Sequence, residues 1–372
     1  MALTSLWPSS LSGLPTTPSL LLGALILAVF GLVFLVTRRP GNGAQVVDEK
    51  TPSQFEAMGT ITPLSDFDWS TAEPQRVYKF VPKYFITMGL SKTTIDHIIH
   101  IDSSYSSRLT ARRAVAASRP EVLACLPGAE PAVFELYTYL VTVWLPTRYP
   151  TIFTLSRVAE ALQNHVTDSA IPMKPPKDAR EALALLNANV DEDFLMMLPV
   201  PEVDGGGFAL QALIWAFPNQ SDPKRQLGRR LAELHGPVPA YQEKLEGSME
   251  RFFGKLEVGK VVCRSNWSVA MKSSQRASQL TEDKVQAAAE ELDPAKTYLR
   301  SELQTLFVLP TSGARIMSVH EYVYPLQQIK DEGTGPEMVQ AVEGLKEGNA
   351  PGMWDYKRAS NWSEQVKKFL LE

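Results

Sequence analysis

The sequence predicts an α+β fold: an antiparallel sheet with surrounding helices, preceded by one N-terminal transmembrane helix. Three observations carry this expectation. Residues 20–36, LLLGALILAVFGLVFLV, are all apolar or glycine, and no charged side chain occurs before Arg38. Next come apolar stretches of helical length, such as 130–143. The second half instead shows short apolar runs bounded by turn residues and interleaved with helical segments, an order that favours α+β over alternating α/β.

The N-terminal segment reads as a single membrane anchor. At about 1.5 Å per residue, residues 20–36 span roughly 26 Å, the lower end for a bilayer crossing. A cleaved signal peptide would want a positive start and small residues at a cleavage site. This chain has neither, and Arg38-Arg39 follow the apolar run. Positive residues stay cytoplasmic. Residues 1–18 are therefore expected on the lumenal or exterior side, 19–37 in the membrane, and the rest in the cytosol, on the endoplasmic reticulum or another endomembrane. In the cytosol the sequons at Asn266 and Asn361 would stay unmodified, and Cys125 and Cys263 would be reduced thiols.

Residues 38–75 are polar and dotted with proline, which predicts a linker, with Phe67 and Trp69 as packing points near its end. Ser91 reads as the cap of a helix start. The apolar run 130–143 reads as a helix ended by Leu145-Pro146, with further helices over 154–165 and 177–187 around a proline-rich loop, 166–176. Runs 194–199 and 208–217, split by Asp204-Gly205-Gly206-Gly207, read as a hairpin. Strands are expected over 260–269 and 314–324, with another opening at 307–309 before the Pro310–Gly313 turn. Helices are expected from Lys224 to His235, over 239–256 and over 281–292. The domain is placed at 76–335, with a surface-lying helical tail at 336–372.

Composition excludes several function classes. The 372 residues suit one large domain or two small ones. With 37 basic and 41 acidic residues there is no positive excess to hold a phosphate backbone, so nucleic acid is not an expected partner. Two cysteines exclude a disulfide scaffold and all-cysteine metal sites, and five histidines leave few metal ligands. Glycine-rich dinucleotide or phosphate loops, the serine elbow and the zinc helix motif are all missing from the sequence. The glycines at 205–207 precede a strand, so they are poorly placed to cradle phosphate at a helix start. Asp191-Glu192-Asp193 reads as a solvated acidic turn, with a D-x-D metal pair as the other reading.

Among the histidines, His97 and His100 are spaced to share a helix face, but no third metal ligand is suggested nearby. His165 is expected to face solvent, and His320 to sit at a surface or pocket edge. His235 differs, because Gly236-Pro237-Val238-Pro239 stops its helix abruptly. A neutral imidazole held there suits an iron ligand or a hydrogen-bond donor; a histidine simply favoured at a helix C-terminus is the other reading.

Six stretches in order resemble the family of haem-dependent oxidative N-demethylase alpha subunits, in a fungal-type membrane-anchored form. They are Met88-Gly89-Leu90 with Ile101-Asp102 and Tyr105; Glu135-Leu136-Tyr137 with Leu145 to Pro150; Asp191 to Met197 with Phe217-Pro218; Gly228 to Tyr241, containing LHGPVPAY; Arg264-Ser265-Asn266-Trp267-Ser268; and Tyr298 to Leu306, continuing to Leu326. The resemblance covers roughly residues 80–330. It implies a PAS-like sheet, haem b as cofactor, oxygen activation, a small-molecule substrate such as an N-methylated amine, and electrons from a separate reductase. It makes His235 the candidate axial ligand of the haem iron. Arg264, Asn266, Arg300 and Gln304 become pocket candidates, with Arg264 and Arg300 as cofactor-binding cations for haem propionates or a substrate anion, because planar guanidinium matches carboxylate. The family usually carries arginine between the glutamate and glutamine of the last stretch, where this chain has Leu303.

The expected function is thus a membrane-anchored, haem-binding oxidoreductase. Leu303 motivates a second reading, a haem-binding sensor or carrier without catalysis. A third is a single-pass glycosyltransferase using Asp191 and Asp193 as metal ligands, which requires the opposite membrane orientation.

Overall fold

Short apolar runs, most of them in the second half of the chain, build a seven-stranded antiparallel sheet in the computed structural model, which describes residues 53–219, 221–270, 293 and 296–372. In chain order its strands are β1 (Ser91–Thr93), β2 (Leu123–Cys125), β6 (Asp193–Pro199), β7 (Phe208–Ile214), β8 (Val261–Ala270), β9 (Tyr298–Val308) and β10 (Arg315–Pro325). Their spatial order is β1-β8-β9-β10-β6-β7-β2. A separate three-stranded sheet is made by β3 (Phe153–Ser156), β4 (Ala161–Asn164) and β5 (Ser169–Pro172). The anchor expected at 20–36 and the helix expected at 281–292 lie outside the described residues. Among the described residues, no helix is long and apolar enough to cross a membrane.

Period-two alternation gives the large sheet two different faces. On one face Leu195, Met197, Leu210, Val262, Leu306 and Val308 meet Leu231, Tyr241, Met249 and Phe253 from the segment between β7 and β8. On the other, Phe194, Met196, Phe307 and Ile316 pack under the helices Tyr105–Ser118, Glu130–Tyr139 and Ala179–Asn189. The far end of that second face, at Leu299, Tyr322 and Tyr324, is covered by Met338, Val342, Trp362 and Val366 of the C-terminal helices.

Several elements differ from the sequence expectation, each for a local reason. The stretch read as a linker is already part of the packed body from Ser53. Phe55 and Met58 are buried and Phe67 and Trp69 pack beside them, so an apolar minority anchors a polar segment. Ser91 starts an edge strand on β8 rather than a helix. The 130–143 helix does not stop at Pro146. A π-turn over Leu140–Trp144 accommodates the missing N–H, and the helix runs on to Arg148. The expected helix at 154–165 is a hairpin, and β5 lies inside the expected loop. Glu160 and Asp168, both at positive φ, make the two turns. The helix expected from Lys224 is broken into Pro223–Gln226 and Leu231–His235 by Gly228 at φ +86. The tail is not surface-lying, since it builds a core of its own.

Candidate functional site

His235 closes the short helix Leu231–His235, and three contacts fix that helix. The Arg230 N–H donates to Glu233 Oε2 at 2.8 Å, which satisfies a free donor at the helix start. The Arg230 guanidinium donates to the carbonyls of Asp204, Gly205 and Gly206, tying the helix to the β6–β7 turn. At the other end, Val238 N–H donates to His235 O at 2.9 Å and the prolines end the turn.

The imidazole itself is oriented twice. Its Nδ1 lies 2.9 Å from Leu231 O, and its ring stacks on buried Tyr241 with centroids 5.2 Å apart. Because the carbonyl can only accept, Nδ1 carries the proton, and Nε2 has no hydrogen-bond partner among the described residues. Burial lowers the His235 pKa, the bond to Leu231 opposes this, and the nearby Arg264 charge adds to it. The net result is a neutral imidazole with an available lone pair at Nε2.

The register of β8 and β9 places the four pocket candidates on the face that carries His235. Arg264 lies opposite Gln304, Asn266 opposite Glu302, and Ser268 opposite Arg300. Their surroundings differ sharply. Arg300 is enclosed by protein acceptors: Nη1 donates to Glu321 Oε1 at 2.9 Å, and Nη2 donates to Glu302 Oε1 at 3.0 Å and to Phe217 O at 2.5 Å. Gln304 Nε2 donates to the other Glu302 oxygen at 2.9 Å. Asn266 Oδ1 accepts from Lys357 Nζ at 3.2 Å. Arg264 has no hydrogen-bond or ion-pair partner among the described residues, and its Nε is buried and unsatisfied. Burial lowers its pKa, with Tyr84, Glu302 and Tyr356 close enough to push the other way. Leu303 points to the opposite face, between Ser265 and His320, against the C-terminal core.

A second polar cluster lies deeper. Asp191, Glu192 and Asp193 do not form a solvated turn, since all three are buried. Arg108 Nε donates to Asp191 at 2.5 Å, Arg112 Nη2 donates to Asp193 at 2.8 Å, and both guanidinium groups lie over the Phe217 ring. These pairings remove the two aspartates as metal ligands, and with them the basis of the glycosyltransferase reading. His320 is buried rather than at an edge, with Nδ1 3.0 Å from Glu192 Oε1. Burial pulls its pKa down, but the Glu192 carboxylate leaves it raised overall. His100 lies beside it at 5.9 Å between ring centroids and is pushed down to about 3, first by burial and then by the neighbouring histidines. His97 stacks on His100 at 5.8 Å, and among the described residues no group of three or more His, Cys, Asp or Glu is arranged to hold a metal ion. His165 is exposed as expected, and both cysteines are free thiols.

Two surface clefts lie elsewhere. One of about 640 Å³ adjoins Leu123, Cys125 and Lys177, and one of about 270 Å³ adjoins Arg76 and Tyr324. Their walls carry neither a free imidazole nor an unpaired buried cation, so the His235–Arg264 region remains the better candidate. Sequence reasoning missed Tyr84, Tyr356 and Lys357, which border that region from distant parts of the chain.

A comparison with family models decides the affiliation. Residues 89–367 match the family described as haem-dependent oxidative N-demethylase, alpha subunit-like. The chain belongs to this family. The match starts close to β1 and extends into the last helix, so the C-terminal helices are part of the family domain. A comparison with curated proteins finds no match.

Proposed function

We propose that this chain is a haem-binding oxidoreductase that activates oxygen to oxidise a small organic substrate, an N-methylated amine being the class the family description suggests. The observation that carries the reading is His235. Its Nδ1 proton is committed to a backbone carbonyl, and its neutral Nε2 is left open. This arrangement suits a haem-ligating histidine, because the hydrogen bond at the other ring nitrogen fixes the tautomer and raises ligand basicity. Arg264 fits the same group, since a half-buried guanidinium on the same face whose Nε is unsatisfied would pair with a propionate.

Bound haem would supply the redox and oxygen chemistry. The chain's own residues then have defined tasks. His235 would hold the iron, in haem b, within a sheet of PAS-like type. Tyr241 and Leu231 keep its ring from turning. Asn266 and Gln304 offer amide groups beside Arg264 for orienting a small substrate. Arg300 instead holds Glu302 and Glu321 in place. The sensor or carrier reading rested on Leu303, whose side chain lies on the other face of the sheet, so it removes no group from the His235 side. Electrons would come from a separate reductase, which a cytosolic domain anchored through residues 20–36 would meet at an endomembrane.

A spectrum of the full chain after haem supplementation, with and without dithionite and carbon monoxide, tests this. A Soret band that shifts on reduction and again with carbon monoxide is expected, and its absence overturns the proposal. His235→Ala is expected to lose haem retention. Normal haem content in that variant would remove His235 as the ligand.

A further inference from the structure

The residues that complete the Arg264 surroundings come from two segments outside the His235 loop. Lys357, near the C-terminus, is buried, and its Nζ donates to Asn266 Oδ1 at 3.2 Å and to the Trp267 carbonyl. It has no ion-pair partner among the described residues. Asn266 is two residues from Arg264 along β8, so both cations reach the same side of one strand. This part of β8 runs past the end of β1, which covers only Val261, Val262 and Cys263, and Arg264 keeps partial solvent exposure there. Tyr84 and Tyr356 flank it, both close enough to Arg264 to interact with its charge. Tyr356 is 45% exposed, which leaves the entrance reachable from solvent.

The charges do not balance locally. Glu302 is the carboxylate that acts on both Arg264 and Lys357. Its oxygens are already occupied by Arg300 at 3.0 Å and Gln304 at 2.9 Å. Holding a half-buried guanidinium and a buried ammonium without a dedicated counter-ion is costly, and chains keep such groups where a ligand supplies the missing charge.

We propose that Arg264 and Lys357 form a carboxylate-binding site beside Asn266 on β8, which takes either a haem propionate or the acid group of a small substrate. The propionate source rests on the haem reading above; the site itself does not. Burial also lowers the Lys357 pKa to about 8, as expected for an ammonium waiting for its counter-ion.

Calorimetry on the haem-free full chain with sodium acetate, at constant ionic strength against chloride, tests the site without haem. Acetate binding that weakens about tenfold in Arg264→Gln and in Lys357→Met is expected, and rescue by Arg264→Lys supports a charge role. Lys357→Met keeps the length of the side chain, so a folding defect in Arg264→Gln leaves the test intact. Haem and its dimethyl ester then separate the two sources. A preference for haem of about tenfold that Lys357→Met abolishes assigns the site to a propionate. Equal binding of the two, with acetate still bound to the loaded protein, assigns it to a substrate acid. Acetate binding indifferent to both residues, together with no preference for haem over its ester, overturns the proposal. If no haem binds at all, the haem reading fails and the acetate measurement alone decides the site.

Discussion

Two groups of buried charges lie on this sheet, and they are built on opposite plans. Around Phe217, Arg108, Arg112 and Arg300 each meet a carboxylate within 3.0 Å, and Asp193 also accepts the N–H groups of Ala216 and Phe217. Around β8, Arg264 and Lys357 have no dedicated counter-ion among the described residues, and His235 presents an unused ring nitrogen. The first group is closed and ties helix to sheet. The second is open and has capacity left for a ligand. The same residue type, arginine, is therefore architecture at 300 and a candidate binding group at 264. Partners and burial both differ: Arg300 is buried among carboxylates, and Arg264 is half-buried without one.

That contrast breaks most visibly if the closed group is cut. Arg300→Met leaves Glu302 and Glu321 buried without their cation, and a loss of about 3–5 kcal/mol in urea unfolding is expected. A cost under about 1 kcal/mol would mean the closed group is not what holds this end of the sheet.

A smaller effect should follow pH. His100 has a folded pKa of about 3, below its unfolded value. A depressed histidine contributes stability that is fully present above the unfolded pKa, near 6.5, and is lost as pH falls from there toward 3. Between pH 7 and pH 5 this amounts to about 2 kcal/mol, and His100→Gln should flatten that part of the stability profile. An unchanged slope in the variant would place the acid sensitivity elsewhere, with the Glu192–His320 pair as the next group to remove.

The smallest effect sharpens the comparison most, because its sign is opposite. Arg264→Met removes a half-buried cation that has no ion-pair partner among the described residues, so stability is expected to rise by about 0.5–1 kcal/mol while ligand binding is lost. Destabilisation as large as that of Arg300→Met would show that Arg264 is structural and would close the distinction between the two groups.

Much of the sheet was legible because its strands are short apolar runs bounded by turn residues. The β6–β7 hairpin, β8 and β10 fall close to their expected bounds, and the glycine run between β6 and β7 makes the turn. The helix Tyr105–Ser118 and most of β9 were not legible. Their buried faces carry Arg108 and Arg112 in one case, and Arg300, Ser301, Glu302 and Thr305 in the other. A buried polar residue looks like a surface residue until its partner is known, and here the partners lie far along the chain. Arg112 meets Asp193 across 81 positions and Arg300 meets Glu321 across 21. For the same reason the acidic run at 191–193 read as solvated. Pattern alone left His235 open between an iron ligand and a histidine favoured at a helix C-terminus, and the family resemblance singled it out, whereas Tyr84, Tyr356 and Lys357 carry no local signal.

By itself, the sequence determined the α+β class, the central strands and the charge-free N-terminal segment, because these rest on periodicity and composition, which are local. Tertiary structure alone decided which charges are neutralised. It enclosed Arg300, Asp191 and Asp193 in pairs, turned Leu303 to the far side of the sheet, and left Arg264 and Lys357 without a carboxylate of their own among the described residues. Pairing and exposure depend on which distant segments meet, and packing sets that rather than spacing.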